Sequence, residues 1–259
     1  MRAIDLNADT GEADTAEWQA VEAAIMGYIT SANIACGGHA GDDESMRRTV
    51  SLALENNVNI GAHPAYPDRE NFGRKPLILG TDISSLELAN SITAQISRLA
   101  EIASEQGGAI TYVKAHGALY NDAVFDIKLA DLIAETVAHI DCGLWLMGAP
   151  NSCLTQAAHD HGLKFIAEGF IDRRYTDDGH LLSRKEDSAV LKSQTERENQ
   201  AISLLTQGQV FTNTGQPLSL DVDTFCIHSD SPGADKTAKT ICDALISRGA
   251  DIKAFTNAG

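Results

Sequence analysis

The feature that most constrains this chain is a repeated change of hydrophobic period along its length. Short apolar runs lie at 3–8, 31–35, 58–62, 110–114, 144–148, 164–168 and 224–227. Helical patterns lie between and after them, near 16–28, 42–57, 83–106, 126–140, 151–162, 194–207 and 234–248. In the third of these helices Ile83, Leu86, Asn90, Thr93, Ile96 and Ala100 mark the expected apolar face, widened by Ile92 and Leu99. Seven strand-then-helix units predict a parallel sheet, because each crossover returns the chain to the same end of the sheet. Their regularity predicts a single α/β domain over residues 1–259, closed as a (β/α) barrel of about seven parallel strands. An open doubly wound sheet is the alternative, although no GxGxxG follows the first strand. The stretch 169–194 fits neither period, and long loops of that kind in compact domains are often functional.

Composition narrows the partners. Twenty Lys and Arg against 36 Asp and Glu give a formal charge of −16, which repels polyanions, so nucleic acid and anionic membranes are not expected to bind. No uncharged apolar run approaches the roughly 20 residues that span a bilayer. The five cysteines (Cys36, Cys142, Cys153, Cys226 and Cys242) are odd in number and form no CxxC pair. The first residues carry no basic start followed by an apolar stretch, so a cytoplasmic protein with free thiols is expected. Neither a GxxxxGK[ST] loop nor a GxSxG elbow occurs.

Polar residues gather at the C-terminal ends of the expected strands. These are Asp5, Asn7 and Asp9; Asn33, Cys36 and His39; His63; Lys114 and His116; Glu168, Arg173, Arg174 and Tyr175; and His228 and Asp230. In a (β/α) barrel those ends make one face, and that face holds the active site. The carboxylates and imidazoles supply acids and bases. Lys114, Arg173, Arg174 and Arg184 gather cations in an acidic protein, which suits an anionic substrate group. Cys36 reads as a small buried thiol, with a nucleophile paired to His39 or His63 as the rival reading.

Several of these segments carry a longer pattern. They are 5–12 (DLNADTGE), 31–41 (SANIACGGHAG), 61–68 (GAHPAYPD), 113–121 (VKAHGALYN), 168–175 (EGFIDRRY) and 182–184 (LSR). Together they resemble the LamB/YcsF family, that of 5-oxoprolinase A subunits, in the same order from the first strand to His228. The sequence departs from the usual family pattern at Ala13, Gly38, Asp43, Ala115 and the segment around Ser229 and Ser231, while the charged and hydrogen-bonding positions survive.

The resemblance implies a barrel like those of glycoside hydrolases and polysaccharide deacetylases. It also implies ATP-driven opening of 5-oxoproline to glutamate together with two partner subunits, B and C. Because the chain has no nucleotide motif, ATP is expected to be handled with those partners. On this reading Asp9, His39, His63, Lys114, His116 and Glu168 are catalytic. Asn7, Asn33, Arg173, Arg174, Tyr175, Arg184, His228 and Asp230 bind substrate, and Glu168 or Asp230 carries a proton to the ring nitrogen. A divalent metal, if bound, is expected on Asp9, His39 and His63. Two alternatives accompany this reading: a stand-alone metal-dependent hydrolase or deacetylase of a small amide or sugar, and a non-catalytic subunit that binds a small acid.

Overall fold

A computed structural model describes residues 2–184, 186–227 and 233–255. In chain order the elements are β1 (Ala3–Thr10), α1 (Ala16–Ile25), β2 (Ser31–Ala35), α2 (Asp43–Glu55), β3 (Asn59–His63), α3 (Ser85–Glu105) and β4 (Ile110–Lys114). There follow α4 (Gly117–Ala123), α5 (Ile127–Ile140), β5 (Trp145–Gly148), α6 (Cys153–Asp160), β6 (Lys164–Phe170) and α7 (Gln194–Gln207). The chain continues with β7 (Gln209–Phe211), β8 (Pro217–Ser219), β9 (Thr224–Ile227), α8 (Ala234–Ser247) and β10 (Asp251–Ile252).

Strands β1 to β6 and β9 pair in that order, all parallel, and β9 pairs back onto β1. The sheet is therefore a closed seven-stranded barrel rather than an open one. β10 adds a short parallel contact at Ala3 and Ile4, and β7 with β8 forms a separate antiparallel hairpin. No helix among the described residues is long and apolar enough to cross a membrane.

Local chemistry sets the helix starts. Asp42 with Ser45, Ser84 with Glu87, and Ser193 with Glu196 form reciprocal capping boxes that open α2, α3 and α7. The buried face of α3 is Leu88, Ile92, Gln95, Ile96, Leu99, Ile102 and Ala103. That corrects the face expected from periodicity: Leu86 is 71% exposed, and Asn90 and Thr93 are exposed too. Leu86 lies in the first turn, ahead of Leu88, the first buried residue of the helix, while Ile83 packs against the core from before the helix. α4, β7, β8 and β10 are too short to impose a period on the sequence.

β1 shows how the barrel holds polar groups in its interior. Side chains alternate along a strand. Ile4, Leu6 and Ala8 join the main apolar cluster, so Asp5, Asn7 and Asp9 face the other way. All three are buried. The register sets Asp9 beside Asn33, and Asn33 beside Gly61. Glycine at 61 is required there, because a Cβ would stand 2.1 Å from the Tyr112 ring. The missing side chain leaves room for that ring to reach across to Asn33.

Candidate functional site

The site rests on a hydrogen-bonded floor. Asp5 accepts from Thr30 Oγ1 and Ser31 Oγ, both at 2.7 Å, and from Thr224 Oγ1. Burial pushes its carboxyl up to about 6 against the pull of those three hydroxyls, and Glu168 adds to the rise. Above it, Asn7 Nδ2 donates to Thr224 at 2.9 Å, and Asn33 Nδ2 donates to Asn7 Oδ1 at 2.7 Å and to Asp9 Oδ1 at 2.8 Å. The Tyr112 hydroxyl donates to Asn33 Oδ1 at 2.6 Å.

Lys114 is the charged centre. Its Nζ lies 3.0 Å from Asp9 Oδ1 and 2.7 Å from Glu168 Oε1, with Asn7 Oδ1 at 3.3 Å. Burial opposes its charge, but the two carboxylates outweigh burial and hold the ammonium well above the usual lysine range. A permanent cation is thereby fixed at the end of β4.

Beside it stand three imidazoles and a carboxylate. His63 Nδ1 lies 2.8 Å from the Lys114 carbonyl, and His116 Nε2 lies 3.1 Å from the Phe72 carbonyl. His63 Nε2 and His116 Nδ1 face each other at 3.0 Å. His39 stacks on His116 with ring centroids 3.5 Å apart, and its Nε2 lies 2.7 Å from Glu12 Oε1. Burial depresses His39 to about 2, helped by the neighbouring His63, and burial with His63 and His39 depresses His116 further still. Gly73 permits this packing: it has a positive φ of 61°, and a Cβ there would press on His39, Ala65 and His116 at 3.0–3.2 Å.

Glu12, His39, His63 and His116 each offer a ligand atom within 4.8 Å of the others. This group differs from the expected trio of Asp9, His39 and His63. Asp9 Oδ1, held by Lys114 and Asn33, also lies 3.4 Å from His63 Nε2, while Glu12 stands beside His39 and His116. The donor set, three imidazoles and one carboxylate, suits a divalent ion of the zinc type.

A cavity of about 540 Å³ opens over these groups. Asp9, His63, Lys114, His116, Glu168, Arg173, Tyr175 and Arg184 line it. The aperiodic stretch after β6 forms one wall, through Arg173, Tyr175 and the segment 179–184. Arg173 is buried, and its guanidinium donates to the Leu182 carbonyl at 2.7 Å. Burial and nearby Arg184 lower it to about 10. The Tyr175 hydroxyl accepts from Phe170 N at 2.8 Å, which ties the loop to the end of β6.

Other expected site residues lie elsewhere. Asn7, Asn33 and His39 sit behind the lining, in the buried layers just described. Arg174 turns away to Glu196 at 3.0 Å. Cys36 lies against Gln95 rather than the cavity, and burial pushes its thiol up to about 12, away from the thiolate that a nucleophile uses. His228 and Asp230 lie outside the described residues. Sequence reasoning misses Glu12, Arg74, Tyr120 and His180, all of which line the cavity. Glu12 and Tyr120 stand within the family motifs, but Arg74 and His180 carry no local signal.

A cavity with a fixed ammonium, buried arginine and imidazole–carboxylate group can bind a small anion and activate water beside it. The chain matches the LamB/YcsF family over residues 4–259. It is 42% identical over 252 residues to the 5-oxoprolinase A subunit of Nitrobacter winogradskyi, covering 97% of this chain and 98% of that one. It is 41% identical over 255 residues to the 5-oxoprolinase A subunit of Tolumonas auensis, covering 98% and 100%. The crystal structure of a lactam utilization protein from Thermus thermophilus superposes with a TM-score of 0.88 at 32% identity, covering 98% and 100%. A GH113 β-1,4-mannanase shares the fold alone, with a TM-score of 0.54 at 9% identity over 96% of this chain and 100% of that one. Matched from β1 through the end of the chain, with its motif residues converging on one cavity, this protein belongs to the LamB/YcsF family.

Proposed function

We propose that this chain opens 5-oxoproline to glutamate as the A component of a 5-oxoprolinase, working in the cytoplasm with ATP and with subunits B and C. The observation that carries the reading is Lys114, fixed between Asp9 and Glu168 at the floor of a cavity that also presents His63, His116 and Arg173. The kinship with 5-oxoprolinase A subunits supports the choice of lactam.

A lactam resists water unless its carbonyl is activated and the developing charge is stabilised. Transfer of the γ-phosphoryl group of ATP to the lactam oxygen supplies the activation and releases ADP. Water then adds to the ring carbon, the C–N bond breaks as the nitrogen takes a proton, and an acyl phosphate remains. A second water cleaves it to glutamate and phosphate.

Lys114 stabilises the developing negative charge. The group of Glu12, His39, His63 and His116 holds and deprotonates the water. Arg173, with Arg184, receives the substrate carboxylate, and Glu168 carries the proton to nitrogen. His228 and Asp230 remain proposed substrate contacts by motif position.

The test is glutamate release from 5-oxoproline and ATP, with and without subunits B and C. Activity in the complete mixture alone is the expected result. Silence in that mixture, with every protein folded, overturns the reading. ATP turnover by this chain alone at the rate of the complex overturns the assignment of ATP to the partners.

The Glu12–histidine group also favours a second reading, a metal-dependent hydrolase of a small amide or acetylated sugar. ATP-independent turnover abolished by a chelator would select it.

A further inference from the structure

His63 and His116 meet in a way that protein atoms alone do not satisfy. A carbonyl oxygen only accepts hydrogen bonds. The Lys114 carbonyl therefore fixes the proton of His63 on Nδ1, and the Phe72 carbonyl fixes that of His116 on Nε2. In the neutral rings the two remaining nitrogens, 3.0 Å apart, both present lone pairs. Two acceptors at that distance repel unless a cation lies between or beside them. Both rings are buried. Glu12 Oε1, another acceptor, lies 3.5 Å from the same His116 nitrogen. His39 covers His116 in a parallel stack, and its Nδ1 is buried with no hydrogen-bond partner among the described residues.

We infer that Glu12, His39, His63 and His116 form a binding site for a divalent cation of the class that takes imidazole nitrogen and carboxylate oxygen, with zinc the best fit. A tetrahedral zinc with bonds of about 2.0–2.1 Å spaces its ligands about 3.3 Å apart. The separations of 2.7 Å from Glu12 to His39, 3.0 Å between the facing nitrogens and 3.5 Å from Glu12 to His116, with all four ligand atoms within 4.8 Å of one another, span that value. The outer nitrogens of His63 and His116 already donate to backbone carbonyls, the outer-shell arrangement that fixes the tautomer of metal-bound histidines. A cation here would polarise water at the cavity wall. The inference stands independently of the lactamase reading, because bound metal is counted without turnover.

The full chain, stripped with a chelator, is incubated with a small excess of Zn(II), gel-filtered and analysed for metal. About one zinc per chain is expected to remain, as for a site assembled by folded ligands. His63→Ala, His116→Ala and Glu12→Gln are each expected to weaken retention beyond the roughly 10–100-fold typical of outer-shell changes. His161→Ala, at a histidine paired with Asp131 outside the cluster, retains the metal. Should the cluster variants fail to fold, Co(II) added to the unaltered chain keeps the question open to an answer. Visible ligand-field bands displaced by Zn(II) support the site. Absence of such bands together with negligible zinc retention overturns it and leaves a shared proton between His63 and His116. Equal zinc retention by folded wild-type and cluster variants overturns it as well.

Discussion

Two groups of ionisable side chains meet under one cavity and are built on opposite principles. Around Lys114, each contact joins opposite charges or a donor to an acceptor: Asp9 and Glu168 against the ammonium, and Asn33 against Asp9. Around His63, acceptors face acceptors, and burial keeps His39 and His116 neutral. The first group carries its counter-charges in protein atoms, two carboxylates on one ammonium. The second is left incomplete at the cavity wall. A satisfied buried network positions, while an unsatisfied one marks where something else must arrive.

The largest effect that can test this contrast is on turnover. Lys114→Ala and His63→Ala are each expected to lower glutamate formation by the complete complex by about two to four orders of magnitude. Near-normal rates in either variant would remove that group from the chemistry.

Stability should separate the two groups next. Lys114→Ala leaves Asp9 and Glu168 buried without their counter-charge, an expected loss of about 3–5 kcal/mol in denaturant unfolding. His39→Ala removes a neutral ring and one bond to Glu12, an expected loss of about 1–3 kcal/mol. The reverse order would break the contrast.

The floor offers a pH test. Asp5 has its carboxyl raised from 3.8 to about 6. The folded state therefore holds a proton that the unfolded chain releases between those values. The stabilisation is fully present below about 3.8 and is lost as pH rises through about 6. Relative to Asp5→Asn, the wild type should lose about 2 kcal/mol between pH 4 and pH 7. A flat difference across that range would show that the three hydroxyls compensate the buried charge fully.

The smallest effects concern two adjacent arginines. Arg173→Ala should raise KM for 5-oxoproline about 10–100-fold, the loss of one charge-assisted contact, with a smaller change in kcat. Arg174→Ala should change either constant by less than about twofold, as for an exposed ion pair. Equal effects would place both guanidiniums at the substrate.

Much of this is legible in order along the chain. Strand and helix periods are local, and a parallel barrel follows from their alternation because crossovers have one hand. The gathering of polar residues at strand C-termini is also local, and it points to Asp9, His63, Lys114, His116, Glu168 and Arg173, which do line one cavity. The phase of α3 is not legible in the same way, because Leu86 in its first turn faces solvent while Leu88 and Ile92 meet the core.

By itself, then, the sequence determined the barrel, its family and the face that carries the site. Only the tertiary structure decided which carboxylate serves which cluster. Asp9 and Glu12 are three positions apart, yet Asp9 pairs with Lys114 and lies 3.4 Å from His63, whereas Glu12 pairs with His39. Arg173 and Arg174 are neighbours, yet one lines the cavity and the other meets Glu196. Lys114 and Asp9, 105 residues apart, touch because the strands close in one register. Such partnerships depend on distances of a few tenths of an ångström between side chains from remote segments, and on which carbonyl fixes the proton of each ring. Local patterns carry the direction a side chain takes from its strand, but not what it finds there.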